Sequence, residues 1–270
     1  MSNSTVAIIG AGVMGETLIS GMIRAGRSPD GLLVGEKRRD RARELEERYG
    51  VGVVTNVEAA RKADTLVLVV KPQDMAEVLD ELAPVVRPGQ LVVSLAAGIT
   101  TAFVETRLPD GVAVVRVMPN TPALVDEGMA AISRGSHCDE THLAEAESLM
   151  ASTGKVIRVP ERQQDAVTAI SGSGPGYIFF VVEAMIEAGV HLGLPRSTAA
   201  ELVVQTVVGS AKLLRDTGEH PVVLRERVTS PGGTTAAALR ELEDHKVRAA
   251  FLGAIEAARD RSRALAEGMD

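Results

Sequence analysis

Val6-Ala-Ile-Ile-Gly10-Ala-Gly12-Val-Met-Gly15 is the stretch that decides the fold. An apolar run of strand length leads directly into a Gly-x-Gly-x-x-Gly pattern, and residues 13–24 beyond it have helical character. Gly10 permits a tight turn out of the strand, Gly12 carries no side chain where a pyrophosphate would approach, and Gly15 lets the helix lie close to the strand. The helix start then offers free N–H groups and the positive end of its dipole to phosphate. Gly10, Ala11, Gly12, Val13, Met14 and Gly15 therefore read as a dinucleotide-binding loop.

Working outward, short β-branched runs recur at 6–9, 32–34, 51–54, 66–70, 91–95, 112–117, 129–132 and 156–159. Amphipathic stretches such as 39–49 and 75–82 separate several of them. Strand and helix alternating in this way predict an α/β fold, a Rossmann-type doubly wound parallel sheet covered on both faces. After Glu161 the β-branched runs stop and the chain becomes helical in character. The domain boundary is placed there, with residues 1–161 a dinucleotide-binding domain and 162–270 an all-α domain for dimerisation and substrate binding. Residues 178–190 and 198–214 are apolar on nearly every side, and such helices must be buried all round. A domain of about a hundred residues has too little interior for both, so a second subunit is expected to cover them.

The second strand run ends at Glu36, about 20 residues beyond Gly15, where an acidic side chain would accept from an adenosine ribose 2′-hydroxyl. Lys37 and Arg38 follow at once, and their charges suit a 2′-phosphate instead. The segment is mixed: NADP(H) is slightly favoured and NAD(H) stays open.

Composition narrows the classes. Of 270 residues, 45% are hydrophobic and only 2% aromatic, with no Trp, so base-stacking platforms for nucleic acid are not expected. The net charge of −7 argues against a surface that tracks phosphates. One cysteine, Cys138, excludes an internal disulfide and fits a reducing compartment. No signal peptide is read at the start, and residues 177–190 are interrupted by Glu183 and Glu187, so a soluble cytoplasmic protein without a membrane partner is expected. The five histidines have no metal-ligand spacing, and no metal site is expected.

In the second half, Val228-Thr-Ser-Pro-Gly-Gly-Thr-Thr-Ala-Ala-Ala-Leu-Arg-Glu-Leu242 combines two glycines, four hydroxyls and a helical run. Thr234 or Thr235 is expected to cap the helix through 236–242, leaving N–H groups and hydroxyls aimed at one spot suited to a carboxylate.

Together with Val69-Val-Lys-Pro72, Val115-Arg-Val-Met-Pro-Asn-Thr-Pro122 and Ala169-Ile-Ser-Gly-Ser-Gly-Pro-Gly-Tyr177, that loop makes the whole chain resemble the pyrroline-5-carboxylate reductases. The resemblance implies an oxidoreductase acting on CH–NH groups, reducing 1-pyrroline-5-carboxylate to proline, the last step of proline biosynthesis. It implies that Ser230, Gly232, Gly233 and Thr234 hold the substrate carboxylate and that the Thr235 hydroxyl meets the ring nitrogen as the catalytic group. It further implies that Val69, Val70, Lys71 and Pro72, with Ala96, Ala97 and Gly98, line the dinucleotide, that Asn56 sits by the adenosine ribose, and that Met118, Pro119 and Asn120 border the nicotinamide. A homodimer with a site shared between subunits, often assembled into a ring of dimers, belongs to the same implication.

Hydride transfer to an imine carbon is easy once the nitrogen is protonated, and a pyrroline brings that proton from solution, so orientation is the main task. Lys71, next to Pro72, reads as support for the cofactor loop rather than as an acid. Two other readings compete. A Rossmann-plus-helical hydroxyacid dehydrogenase would need a helix lysine, and none occurs between Lys155 and Lys212. A non-catalytic redox sensor would leave the 230–235 loop without a purpose.

Overall fold

In the computed structural model, which describes residues 4–267, β1 (Val6–Ile9) is buried along its whole length. Val6 and Ile8 enter one apolar cluster, and Ala7 and Ile9 enter another on the opposite face. A strand that is apolar on both sides requires helices on both sides. The sheet contains β2 (Leu32–Gly35), β3 (Gly52–Val54), β4 (Thr65–Leu68), β5 (Leu91–Ser94), β6 (Ala113–Met118), β7 (Gly128–Arg134) and β8 (Gly154–Arg158). Every apolar run expected to be a strand overlaps one of these. The spatial order is β3-β2-β1-β4-β5-β6-β7-β8.

One face is covered by α1 (Val13–Arg24), α2 (Arg39–Tyr49) and α6 (Glu140–Ala151), which contribute Leu18, Ile19, Leu45, Leu143 and Leu149 to the first cluster. The other is covered by α3 (Asn56–Lys62), α4 (Met75–Leu82) and α5 (Thr101–Glu105), through Ala59, Met75, Leu79 and Val104. The strand order reverses direction at β1, between β2 and β4. That reversal opens a crevice at the carboxyl ends of β1 and β4, where ligands of such sheets bind.

The sheet departs from the expected all-parallel form at one place: β6 and β7 pair antiparallel. Their connection, residues 119–127, is shorter than the dozen or so residues a parallel crossover needs. It turns back through a 3₁₀ segment, Thr121–Val125, with Asp126 in the left-handed region.

The described chain divides into two compact units, residues 4–173 with 258–267, and residues 174–257. Residues 161–173 are helical, through α7 (Gln164–Val167) and a π-turn at Thr168–Gly172, yet they group with the sheet. The reason is polar. Glu161 accepts from the Thr101 N–H at 2.7 Å and from its hydroxyl at 2.6 Å, and Gln164 donates to Ala131 O and Ser133 Oγ.

The second unit holds α8 (Gly174–His191), α9 (Arg196–Thr217), α10 (Pro221–Arg227), α11 (Thr234–Asp244) and the first part of α12 (Val247–Glu267). Helices α8 and α9 meet where a side chain on Gly189 would stand 2.9 Å from Ala199 Cβ. Ala199 and Val203 are buried, but Phe179, Phe180, Leu202, Val208 and Leu252 are each more than half exposed. By length and composition alone, the run Glu161–His191 also reaches the apolarity of a membrane span, despite Glu183 and Glu187.

Candidate active site

The glycine loop leaves β1 at the crevice. Gly10 has φ +94, and a Cβ there would lie 2.8 Å from Val69 O at the end of β4. Gly15 is confined differently: its Cβ would come within 2.3 Å of Gly10 O, so the helix can approach the loop only without a side chain. Around the Cβ position of Gly12 there is open space to 4 Å. Gly12 is the N-cap of α1 and supplies no side-chain hydrogen bond, so the first amides of the helix have no intrahelical partner. The packing of the protein explains Gly10 and Gly15; a ligand is what would explain Gly12. A pyrophosphate fits this cradle.

At the end of β2, Glu36 turns back on its own loop. Its Oε1 accepts from the Arg38 N–H at 2.9 Å and from Arg38 Nε at 3.3 Å. The Glu36 side chain is 10% exposed, while Arg38 and Lys37 stand well into solvent. Asn56 is buried beneath Gly35, where its Oδ1 would meet a Cβ at 2.4 Å, and its amide donates to Glu81 Oε2 at 3.1 Å. Asn56 therefore supports the floor of a cleft of about 530 Å³ that Glu36, Lys37, Val53, Glu58 and Glu81 also line.

Beyond β4, the Val69 N–H donates to Ile9 O at 2.8 Å, and Lys71 is exposed ahead of a 3₁₀ turn, Pro72–Asp74. Val70 is half-buried beside Gly10, its Cγ1 3.1 Å from that Cβ position. After β5, Ala96 is buried and Gly98 takes φ +78. At the end of β6, Met118 packs against Gly172, whose Cβ would lie 2.5 Å from Met118 Cε. Asn120 is turned into the protein. Its Oδ1 accepts from the Met129 N–H at 2.8 Å and its Nδ2 donates to Ser171 O at 3.2 Å, tying the β6–β7 connection to the π-turn.

In the helical unit, residues 228–233 link α10 to α11. Gly232 has φ +69, and the Gly233 N–H donates to Ser230 O at 3.0 Å. The helix begins one or two residues earlier than the expected cap at Thr234 or Thr235 implies. Gly233 is the N-cap, without a side-chain cap, and neither Thr234 nor Thr235 caps it; both lie in its first turn. A side chain at 233 is excluded by Ser230 Oγ, 2.4 Å from the Cβ position. The first intrahelical bond is Ala237 N–H to Gly233 O, so the amides of 234–236 precede the ladder. With the exposed Ser230 and Thr234 and the half-buried Thr235, this is a compact set of neutral donors suited to a carboxylate.

One cluster beside the loop has no signature in the sequence. Arg41, on α2, donates through Nε to Ala11 O at 3.1 Å, through Nη2 to Glu16 and through Nη1 to Glu44 at 2.6 Å. Glu16 also accepts from Arg48 and from the Tyr49 hydroxyl, both at 2.8 Å. Burial pushes the Glu16 carboxyl up, but hydrogen bonds from Arg41 and Tyr49 outweigh it and hold it below its ordinary value. Hydrogen bonds to Glu44 and Glu16 raise Arg41 further above the normal arginine range. Among the described residues no group of three or more His, Cys, Asp or Glu side chains is arranged to hold a metal ion.

Comparison with known proteins covers both units. A family model described as pyrroline-5-carboxylate reductase dimerisation matches residues 161–265, and one described as NADP oxidoreductase coenzyme F420-dependent matches residues 5–98. The chain is 45% identical to the pyrroline-5-carboxylate reductase of Corynebacterium melassecola, over 97% of this chain and 98% of that one. It is similar to the solved structure of a pyrroline-5-carboxylate reductase from Coxiella burnetii, with TM-score 0.94 and 38% identity over 98% of this chain and 99% of that one. The Plasmodium falciparum pyrroline carboxylate reductase with NADP bound superposes with TM-score 0.87 and 30% identity, over 98% and 99% of the two chains.

Proposed function

The chain belongs to the pyrroline-5-carboxylate reductase family, and from that premise we propose that it reduces 1-pyrroline-5-carboxylate to proline with NAD(P)H, NADPH being preferred. Bound NAD(P)H supplies a hydride for the C=N carbon. The amides at the start of α1, with Ala11, Gly12, Val13 and Met14, hold the pyrophosphate. Val69, Val70, Lys71, Pro72 and residues 96–98 line the dinucleotide, and residues 118–120 border its nicotinamide.

Ser230, Gly232, Gly233 and Thr234 clamp the substrate carboxylate, and the Thr235 hydroxyl hydrogen-bonds the ring nitrogen. That nitrogen carries its proton in from solvent and keeps it as the amine of the product. No protein acid is therefore needed, and the residues contribute mainly by orientation. The full-length relationship carries this reading, because it takes in the glycine loop and the 228–235 loop together.

Preference for NADPH is supported by Lys37 and Arg38, both largely exposed at the end of β2, where a 2′-phosphate would compete with Glu36 for Arg38 and with Glu77 and Glu81 for Lys37. A second copy of the chain covers the apolar residues left open on α8, α9 and α12, and such dimers associate further into a ring. The test is to follow oxidation of NADH and NADPH in parallel on addition of pyrroline-5-carboxylate. Substrate-dependent oxidation, faster with NADPH, is expected; no oxidation of either would refute the reading.

A further inference from the structure

We infer that Arg41 is a positioning residue for the dinucleotide loop, acting through the Ala11 carbonyl; the inference rests on the reading of that loop as the cofactor site. Ala11 lies between two glycines, so its flanking torsions have little steric restraint of their own. In a planar trans peptide the C=O and the following N–H point in opposite directions. The Arg41 Nε bond to Ala11 O at 3.1 Å therefore also fixes the direction of the Gly12 N–H, which points away from α2. That amide belongs to the group that opens toward a ligand at the N-terminus of α1.

The guanidinium is itself held rigidly. Its side chain is 14% exposed, and its three nitrogens serve three separate acceptors, Ala11 O, Glu16 and Glu44. Glu16 lies on α1, just beyond the loop, so Arg41 ties the loop and the helix that follows it to α2. A lysine has one nitrogen and cannot span these acceptors. Two carboxylates already compensate the Arg41 charge, which makes it a poor direct anchor for phosphate. Its effect is then the same for a cofactor with or without a 2′-phosphate.

The test uses the full chain with Arg41→Lys, Arg41→Met and Arg48→Met. NADH and NADPH affinities are read from nucleotide fluorescence, and KM for cofactor is separated from kcat. Both Arg41 variants are expected to weaken NADH and NADPH by the same factor, about tenfold, as for loss of a charge-assisted hydrogen bond. With saturating cofactor, kcat should stay within about twofold of wild type. Arg48→Met removes an exposed partner of the same Glu16 and should change affinity by no more than about twofold. Full rescue by Arg41→Lys would overturn the inference, as would unchanged affinity in Arg41→Met or a loss confined to NADPH. If Arg41→Met does not fold, the lysine variant still decides the matter. Failure of the wild type to bind either nucleotide would instead remove the cofactor reading beneath it.

Discussion

Replacing Gly12 by Ala should separate dinucleotide binding from folding, because the three glycines of the loop answer to different neighbours. The backbone at Gly12, φ −68 and ψ −167, suits any L residue, and the Cβ would meet nothing within 4 Å. Alanine is a poorer N-cap than glycine by about 0.5–1 kcal/mol. It also lowers the entropy of the unfolded chain, a gain of about 0.4–1 kcal/mol. These offset, and the stability of Gly12→Ala should lie within about 0.5 kcal/mol of wild type. Gly10→Ala carries a strained φ of +94 and a Cβ 2.8 Å from Val69 O. Strain and overpacking together cost about 3 kcal/mol, or about 6–12 °C in melting temperature for a chain of this size. Gly15→Ala, 2.3 Å from Gly10 O, should be destabilised comparably. Thermal unfolding and nucleotide fluorescence titration on the three variants read both quantities. Gly12→Ala should keep its melting temperature and lose about tenfold in NADPH affinity, which is about 1.4 kcal/mol. The reasoning is refuted if Gly12→Ala melts as low as Gly10→Ala, or if it binds nucleotide like wild type.

Other outcomes follow from the same geometry. Thr235→Ala should lower turnover about tenfold, a loss of about 1.4 kcal/mol, with an unchanged melting temperature because Gly233 is the N-cap; steady-state kinetics with melting curves check both. Arg38→Met should raise the KM for NADPH about tenfold and that for NADH less than about twofold, measured in paired titrations. The Glu16 carboxyl titrates below its ordinary 4.5 in the folded chain, so its contribution to stability is present above about pH 4.5 and is lost as the pH falls through the lower folded value. Urea unfolding as a function of pH should therefore show a flatter acid limb for Glu16→Gln. Phe180→Asp replaces a ring that is 72% exposed in the single chain with a charge, and sedimentation should show dissociation of the proposed dimer.

Six of the eight strands are buried on both faces and read as apolar runs, while β3 and β8, at the two edges of the sheet, are more exposed; α2 and α4 were legible from amphipathic spacing, and α1 from its place after the glycine loop. The reversal at β7 was not, since Met129 to Ile132 looks the same in either direction and only the short 119–127 connection decides the pairing. Gly10, Gly12 and Gly15 form a local pattern and could be read directly. The Arg41–Glu16 pair could not, because it joins two helices 25 positions apart and α2, rich in both signs of charge, reads as a solvated face. Asn120 was picked out by motif, but its amide is occupied by Met129 and Ser171, contacts that no spacing rule supplies. Arg116 on β6 is 5% exposed and reaches Glu161 at 3.4 Å; its signal in the sequence is a charged residue within a buried strand.

Anion binding by a chain of net charge −7 becomes less surprising when the helix starts are compared. α3, α5 and α6 begin with side-chain caps from Thr55, Thr100 and Asp139, each occupying helix amides. α2, α4 and α9 also start without a side-chain cap, at Arg38, Asp74 and Pro195, but α1 and α11, the two helices at which a phosphate and a carboxylate are proposed, start at glycines, Gly12 and Gly233. A Ser or Asp at Gly12 would add only about 0.3 kcal/mol of helix stability while competing for the amides an anion needs, and Asp would repel the anion as well. At Gly233 packing against Ser230 already forbids a side chain. At Gly12 nothing in the protein does, so the glycine there is what the proposed pyrophosphate would account for.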